Sequence, residues 1–396
     1  MSNKPILDGI RILDLTRVMS GPYCTSMLAD LGAEIIKIEM PETGDEARHF
    51  GPYKDGESTY FMMLNRAKKS VTINMKDPEG LAVVKNLIPK CDAIVENFRP
   101  GVMDRLGLSL DVLRERNPRL IYCAITGFGS DGPYEKRPAY DAVAQSVSGV
   151  ASLFVDPDDP VLTGPTIADN LTGINACYGI MAALLERERG GPPRRIDVNM
   201  LESTIWFIPD PFANMDRAGI EPGPLMRVTA SQSYAMKCAD GKLLAVHLSS
   251  PEKFWQGVTA ALEREDLRTD PRFAERMSRI ENYLALSEEF KKTAITQPRA
   301  HWMPRLEEND VPFAPINTLP EVFEDPQVRH LGTFTETEHP EEGAFKYARR
   351  AVYFDGARDD QRTLPPPQLG EHTDEVLAEI GYDAGAIAAL RDRKIV

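Results

Sequence analysis

The chain has 396 residues, and 46 Lys and Arg against 60 Asp and Glu give a net charge of −14 at pH 7. Hydrophobic residues make up 42 % and charged residues 27 %, which excludes a predominantly disordered chain. So acidic a chain also excludes a broad nucleic-acid face or a membrane-surface binder, unless basic residues cluster locally. At roughly 150 residues per domain the length holds two domains, or three.

The five cysteines (Cys24, Cys91, Cys123, Cys177 and Cys238) are odd in number, widely spaced and contain no CxxC pair. That argues against a disulfide framework and a thiolate zinc site, and for small buried hydrophobes. The N-terminal residues show no apolar signal region, and the longest apolar stretch, 177–185, is far short of the roughly 20 residues that span a bilayer. A cytoplasmic protein is expected, with no membrane partner.

In chain order, β-branched runs at 11–15, 33–39, 70–74, 92–96 and 120–126 read as strands. Helical patterns at 22–31, 78–88 and 109–116 lie between them. Strand–helix alternation at this spacing predicts βαβ units and a mainly parallel, doubly wound α/β sheet. A long helix follows from about 170 to 189, then a strand at 195–199. Pro209, Pro211, Pro222 and Pro224 with Gly219 and Gly223 read as a linker without regular structure. Beyond it, runs at 233–237 and 242–248 flank Asp240-Gly241, a hairpin signal. Helices are expected near 251–264, 280–293 and 300–309, and two short ones at 373–380 and 384–391. The large domain is read as 1–205, the linker as 206–227 and a smaller α+β domain as 228–318. Residues 319–396 are read as linker and C-terminal part.

Gly127-Phe128-Gly129-Ser130-Asp131-Gly132 is a literal GxGxxG after a strand. A dinucleotide site needs it to open a helix that holds the pyrophosphate. Pro133 and Pro138 follow too closely for that, so the segment reads as a glycine-rich active-site loop. The six histidines form no HExxH and no i, i+4 pair, so no metal site is expected, and no P-loop or GxSxG elbow is present.

Lys68, Lys69 and Lys76 bracket the third strand, and Arg99 and Arg105 follow the fourth. These are ordinary solvated charges, or an anion site where Lys76, Asn97, Phe98 and Arg105 meet at the carboxyl ends of the strands. An aromatic among cations suits a nucleotide with several phosphates. Asp169, in Ile167-Ala168-Asp169-Asn170, opens the longest helix. It either caps that helix or is a nucleophile kept ionised by the helix dipole.

Several segments together resemble the class III CoA-transferase family, which also contains the α-methylacyl-CoA racemases. They are Leu7–Leu15, Gly21-Pro22, Leu31–Glu39, Asn65–Ser70, Val95–Gly101, Thr126–Pro133 and Leu369–Leu377. In order and spacing they cover essentially the whole chain. The resemblance implies a Rossmann-like large domain built from both chain ends, an inserted smaller domain and an interlocked homodimer. It implies Asp169 as the catalytic residue and Lys76, Asn97, Phe98, Arg105 and Tyr140 as coenzyme A contacts, with Ile73 beside the adenine. Acyl-CoA and a small carboxylic acid are the implied substrates, with no permanently bound cofactor.

The implied reaction runs through an aspartyl mixed anhydride and an aspartyl-CoA thioester. The alternative is a 2-methylacyl-CoA racemase or epimerase using Asp169 as acid/base. Racemases carry a His where Tyr140-Asp141 stands, and a phenol with pKa near 10 is a poor second acid/base. Transferase is therefore preferred. The poly-glycine loop of the formyl-CoA/oxalate enzymes is absent, since Thr229-Ala230-Ser231-Gln232-Ser233-Tyr234 stands there. That speaks against an oxalate-specific enzyme.

Overall fold

A computed structural model describes residues 4–54, 56–339, 343–358 and 364–396. Strands β1 (Arg11–Asp14), β2 (Glu34–Glu39), β3 (Lys68–Thr72), β4 (Ala93–Glu96), β5 (Ile121–Thr126) and β6 (Arg195–Asn199) pair side by side in the order 3-2-1-4-5-6. Every pairing is parallel, with Leu13 opposite both Ile36 and Ile94. The result is a mixed α/β fold on a parallel central sheet.

The strands carry apolar side chains on both faces because both faces are covered. Leu13, Ile36, Val71 and Ile94 point into one apolar cluster with Val83 and Leu87 of helix α2 (Pro78–Leu87). Leu113 of helix α3 (Leu110–Arg116) joins them. Ile12, Ile35, Val95 and Cys123 point the other way, against Cys24 and Leu28 of α1 (Ser20–Asp30). Ala176 and Ile180 of the long helix α5 (Ala168–Glu188) complete that face. The short helix α4 (Asp141–Val147) lies between β5 and α5 in the chain.

The described residues within Met1–Ala151, Val161–Ala213 and Thr333–Val396 form one compact unit. The C-terminal piece joins the first cluster through Val376, Leu377, Ile387 and Leu390. Its backbone is tied to the edge strand, with His372 N–H donating to Ser70 C=O and Asn74 N–H to Ile395 C=O. A hairpin of β10 (Phe334–His339) and β11 (Gly343–Ala348), not foreseen from the sequence, also belongs to this unit.

Ser152–Pro160 and Asn214–Gly332 form a second unit. In it β7 (Ser233–Lys237), β8 (Leu243–His247) and β9 (Phe313–Ile316) make an antiparallel sheet, with Gly241 at φ 78° turning the first hairpin. Trp255, Phe273, Phe290, Trp302 and Leu306 fill its core.

The proline-rich stretch after 206 needs correction. Helix α6 (Met200–Phe207) is followed at once by helix α7 (Pro209–Ala218). Pro209 and Pro211 fall in the first turn of α7, where a missing N–H breaks no helical bond.

Candidate active site

Strands β1 and β4 are neighbours, but the chain leaves them in opposite directions, β1 toward β2 and β4 toward β5. Their loops part, and a crevice opens at the carboxyl ends. A cavity of about 290 Å³ lies there. Arg17, Val18, Met19 and Ser20 line it from the β1 side, and Asn97, Phe98 and Arg99 from the β4 side. Gly127, Phe128, Tyr140 and Asp169 are among the other residues of the wall.

The two loops are stapled to each other. The Asn97 side chain accepts from Arg17 N–H at 2.9 Å and donates to Arg17 C=O at 2.7 Å. The Arg17 guanidinium lies over the Phe98 ring, 5.1 Å from its centre. Glu96 holds Phe98 from below, accepting its N–H at 2.7 Å while Tyr122 OH donates to the same carboxyl group at 2.8 Å. Burial pushes Glu96 up to about 7 despite these donors.

Asp169 faces this cavity because two helices cross very closely. Gly173 sits one turn beyond it on α5, and a Cβ there would lie 2.7 Å from Ser20 C=O and 3.2 Å from Cys24 N. With glycine at the crossing, Ser20 lies beside Asp169 on the cavity wall, where its hydroxyl and backbone N–H favour the ionised carboxylate.

Asp169 is not the cap of its helix. The helix starts at Ala168, so Asp169 lies within the first turn. Asp141 takes the capping role, its Oδ1 accepting Ile167 N–H at 3.0 Å and Asp169 N–H at 3.2 Å.

Nor does the helix dipole keep Asp169 at an ordinary carboxylate pKa. Burial, with the Asp141 charge beside it, pushes Asp169 up to about 6, and the Ser20 donors only partly offset this. Tyr60 feels the same environment. Burial, then the charges of Asp169, Asp141 and Asp45, push its phenol up to about 12.

Of the residues singled out from the sequence, Asn97, Phe98, Tyr140 and Asp169 meet at this cavity. Lys76 and Arg105 are exposed and lie outside its lining, and Ile73 is wholly buried in the core. Ser20 and Tyr60 carry no motif of their own, and Asp141 stands out only at the racemase-His position; the folded arrangement draws all three to Asp169. The glycine-rich segment remains a loop from Gly127 to Tyr140, with Gly127 packed against Ala139 so closely that a Cβ would fall 2.3 Å from its Cβ. All five cysteines are buried and free. Among the described residues no three His, Cys, Asp or Glu are grouped to hold a metal ion, and no helix is long and apolar enough to cross a membrane.

A parallel α/β sheet with a carboxylate facing the crevice at its strand-order reversal defines a class of enzyme site rather than one activity. The chain belongs to CoA-transferase family III, whose pattern matches residues 7–373. It is an enzyme of that family, transferring CoA between an acyl-CoA and an acid. Succinyl-CoA:glutarate CoA-transferase of Mus musculus is 38 % identical over 399 residues, spanning 98 % of this chain and 89 % of the mouse protein. Formyl-CoA:oxalate CoA-transferase of Rhodopseudomonas palustris (strain BisA53) is 33 % identical over 421 residues, 98 % of this chain and 96 % of that one. Among solved structures, a CAIB/BAIF family protein from Brucella suis superimposes with a TM-score of 0.85 at 31 % identity, covering 95 % of this chain and 100 % of its own.

Proposed function

We propose that Asp169 is the nucleophile of the transfer, carrying first the acyl group and then CoA. Its carboxylate attacks the thioester carbonyl of the acyl-CoA, and the C–S bond breaks to give an aspartyl–acyl mixed anhydride and CoA thiolate. The thiolate attacks the aspartyl carbonyl of the anhydride, forming an aspartyl-CoA thioester and releasing the donor acid. An acceptor carboxylate attacks that thioester, and the returning thiolate then takes the new acyl group and frees Asp169.

The observation that carries this reading is the Asp169 carboxyl group on the cavity wall, with Ser20 beside it. A pKa of about 6 leaves it mostly ionised at pH 7 yet more basic than an ordinary carboxylate, as a nucleophile requires. Its burial limits the water that hydrolyses anhydrides. Backbone N–H groups of the 127–132 loop supply candidate donors for the tetrahedral oxyanion.

Phe98 and Tyr140 are proposed to flank the coenzyme, and the exposed cations Lys76 and Arg105 to meet its phosphates. Asn97 acts on the coenzyme through the Arg17 loop that it staples. Ile73 offers an adenine no surface of its own, since its side chain lies in the core. The named relatives are a succinyl-CoA:glutarate and a formyl-CoA:oxalate CoA-transferase, so short dicarboxylic acids are the first acceptors to screen. The reading extends to a cytoplasmic, Rossmann-like homodimer with a smaller domain inserted in the chain of the larger one.

Incubation with acyl-CoA followed by hydroxylamine and mass spectrometry is expected to find modification at Asp169, and label elsewhere overturns the assignment. Asp169→Ala is expected to fold and lose transfer. A racemase would instead exchange the Cα hydrogen of a 2-methylacyl-CoA for deuterium with no acceptor acid present. No such exchange is expected here, because Tyr140-Asp141 stands where the racemases carry a His.

A further inference from the structure

The segment between β1 and α1 has no regular structure, yet side chains from elsewhere take up its backbone groups one by one. Thr16 N–H donates to Asp14 at 2.9 Å, and Thr16 C=O accepts from Lys37 Nζ at 2.8 Å. Asn97 holds both polar groups of Arg17. Val18 N–H donates to Asp45 Oδ1 at 3.0 Å. The clamp holds a costly conformation, because Val18 has φ 66°. A β-branched residue enters that left-handed region only under constraint.

Lys37 and Asp45 form an ion pair at 2.7 Å with both side chains fully buried. Asp45 is itself fixed, accepting Ala47 N–H at 2.9 Å while its own N–H donates to Glu39 at 2.9 Å. Two charges buried this deeply are a weak device for stability, since apolar residues of similar volume serve as well or better. What the pair does do is grip the loop on either side of Arg17. Two residues beyond Val18, helix α1 begins at Ser20, whose donors face Asp169. The next residue, Gly21, lies so close to Thr16 that a Cβ would fall 2.3 Å from the threonine Cβ. A Val18 that relaxed to negative φ would redirect the chain and carry that first turn away.

We propose that the buried Lys37–Asp45 pair is a positioning device for the reaction at Asp169, holding Val18 left-handed and thereby setting the Ser20 donors on the carboxylate. The proposal rests on the reading of Asp169 as nucleophile. Lys37 and Asp45 touch no substrate; they act through Val18 and the helix start.

The test compares Asp45→Ala with and without Val18→Gly, in the full-length enzyme. Asp45→Ala is expected to lower kcat about 100-fold, the scale of a misplacement near 1 Å, with little change in KM for the acyl-CoA. Glycine adopts the left-handed conformation without the steric penalty, so Val18→Gly in that background is expected to restore kcat about tenfold. A merely structural loss gains nothing from this second change, because it adds flexibility and fills no space. Full kcat in folded Asp45→Ala overturns the proposal, as does a loss that Val18→Gly leaves unrelieved.

If Asp45→Ala shows no folded circular dichroism spectrum, Lys37→Met with Asp45→Asn removes both charges without stranding one, and the same comparison is made there. Hydroxylamine-trapped label at Asp169 separates the two readings. No label in the wild-type enzyme overturns the nucleophile. Label forming in Asp45→Ala at the wild-type rate overturns the positioning device alone.

Discussion

Asp169 is held between acid and base by burial and the neighbouring Asp141 charge, against two Ser20 donors. At about 6, its pKa puts an acid limb on the pH profile. If Asp169 is the nucleophile as proposed, kcat/KM is expected to fall tenfold per pH unit below about 6, as protonation removes its charge. Asp141→Asn removes the like charge and is expected to move that limb to lower pH, which a pH series of initial rates reads directly. The same shift has a stability sign. Because the folded state raises this pKa above the unfolded value of 3.8, the native state binds more protons between the two values, and stability falls as pH rises from about 4 to about 6. At pH 7 the ionised carboxylate therefore costs on the order of 1–3 kcal/mol. Asp169→Asn is expected to abolish transfer while raising the thermal midpoint at pH 7, an outcome that calorimetry checks.

Helices α1 and α5 bring the donors of one to the carboxylate of the other, and Gly173 sets their approach. Gly173→Ala places a methyl group 2.7 Å from Ser20 C=O, so the helices must separate. Overpacking of this kind costs about 1–3 kcal/mol, and the same movement withdraws Ser20 from Asp169. A lowered thermal midpoint together with at least a tenfold loss of kcat is expected, the latter on the scale of misplaced catalytic groups. A stability loss with kcat intact would show that the crossing does not set the site. The strands and the long helix were legible in sequence because their apolar periodicity is local. Helix α7 was not, because a proline count ignores position, and Pro209 and Pro211 occupy the one turn of a helix that tolerates them. Likewise Asp169 was legible by motif, whereas its cap was not, because Asp141 lies 28 residues away and reaches the helix start only after folding.

At the scale of the molecule, several large apolar side chains stand exposed on two helices of the unit that carries the site. Tyr178 on α5 and Trp206 on α6 are 70 % and 80 % exposed, and the two helices pack against each other. Ile174, Leu185 and Phe207 extend the same exposure along them. Isolated apolar side chains need no explanation, but several large ones on adjoining helices mark an interaction face. A second copy is the expected cover. Sedimentation velocity is expected to show a dimer, and Trp206→Glu to shift it toward monomer; a monomeric wild-type enzyme would remove the expectation. From the sequence alone came the parallel α/β class, the glycine-rich loop, the family and Asp169 as a candidate, since local periodicity and ordered motifs record each of them. Tertiary structure alone decided that Lys76 and Arg105 lie off the cavity lining, that Asn97 staples a loop, and that Asp169 has a raised pKa. Those depend on distances between residues far apart in the chain, which no local pattern encodes.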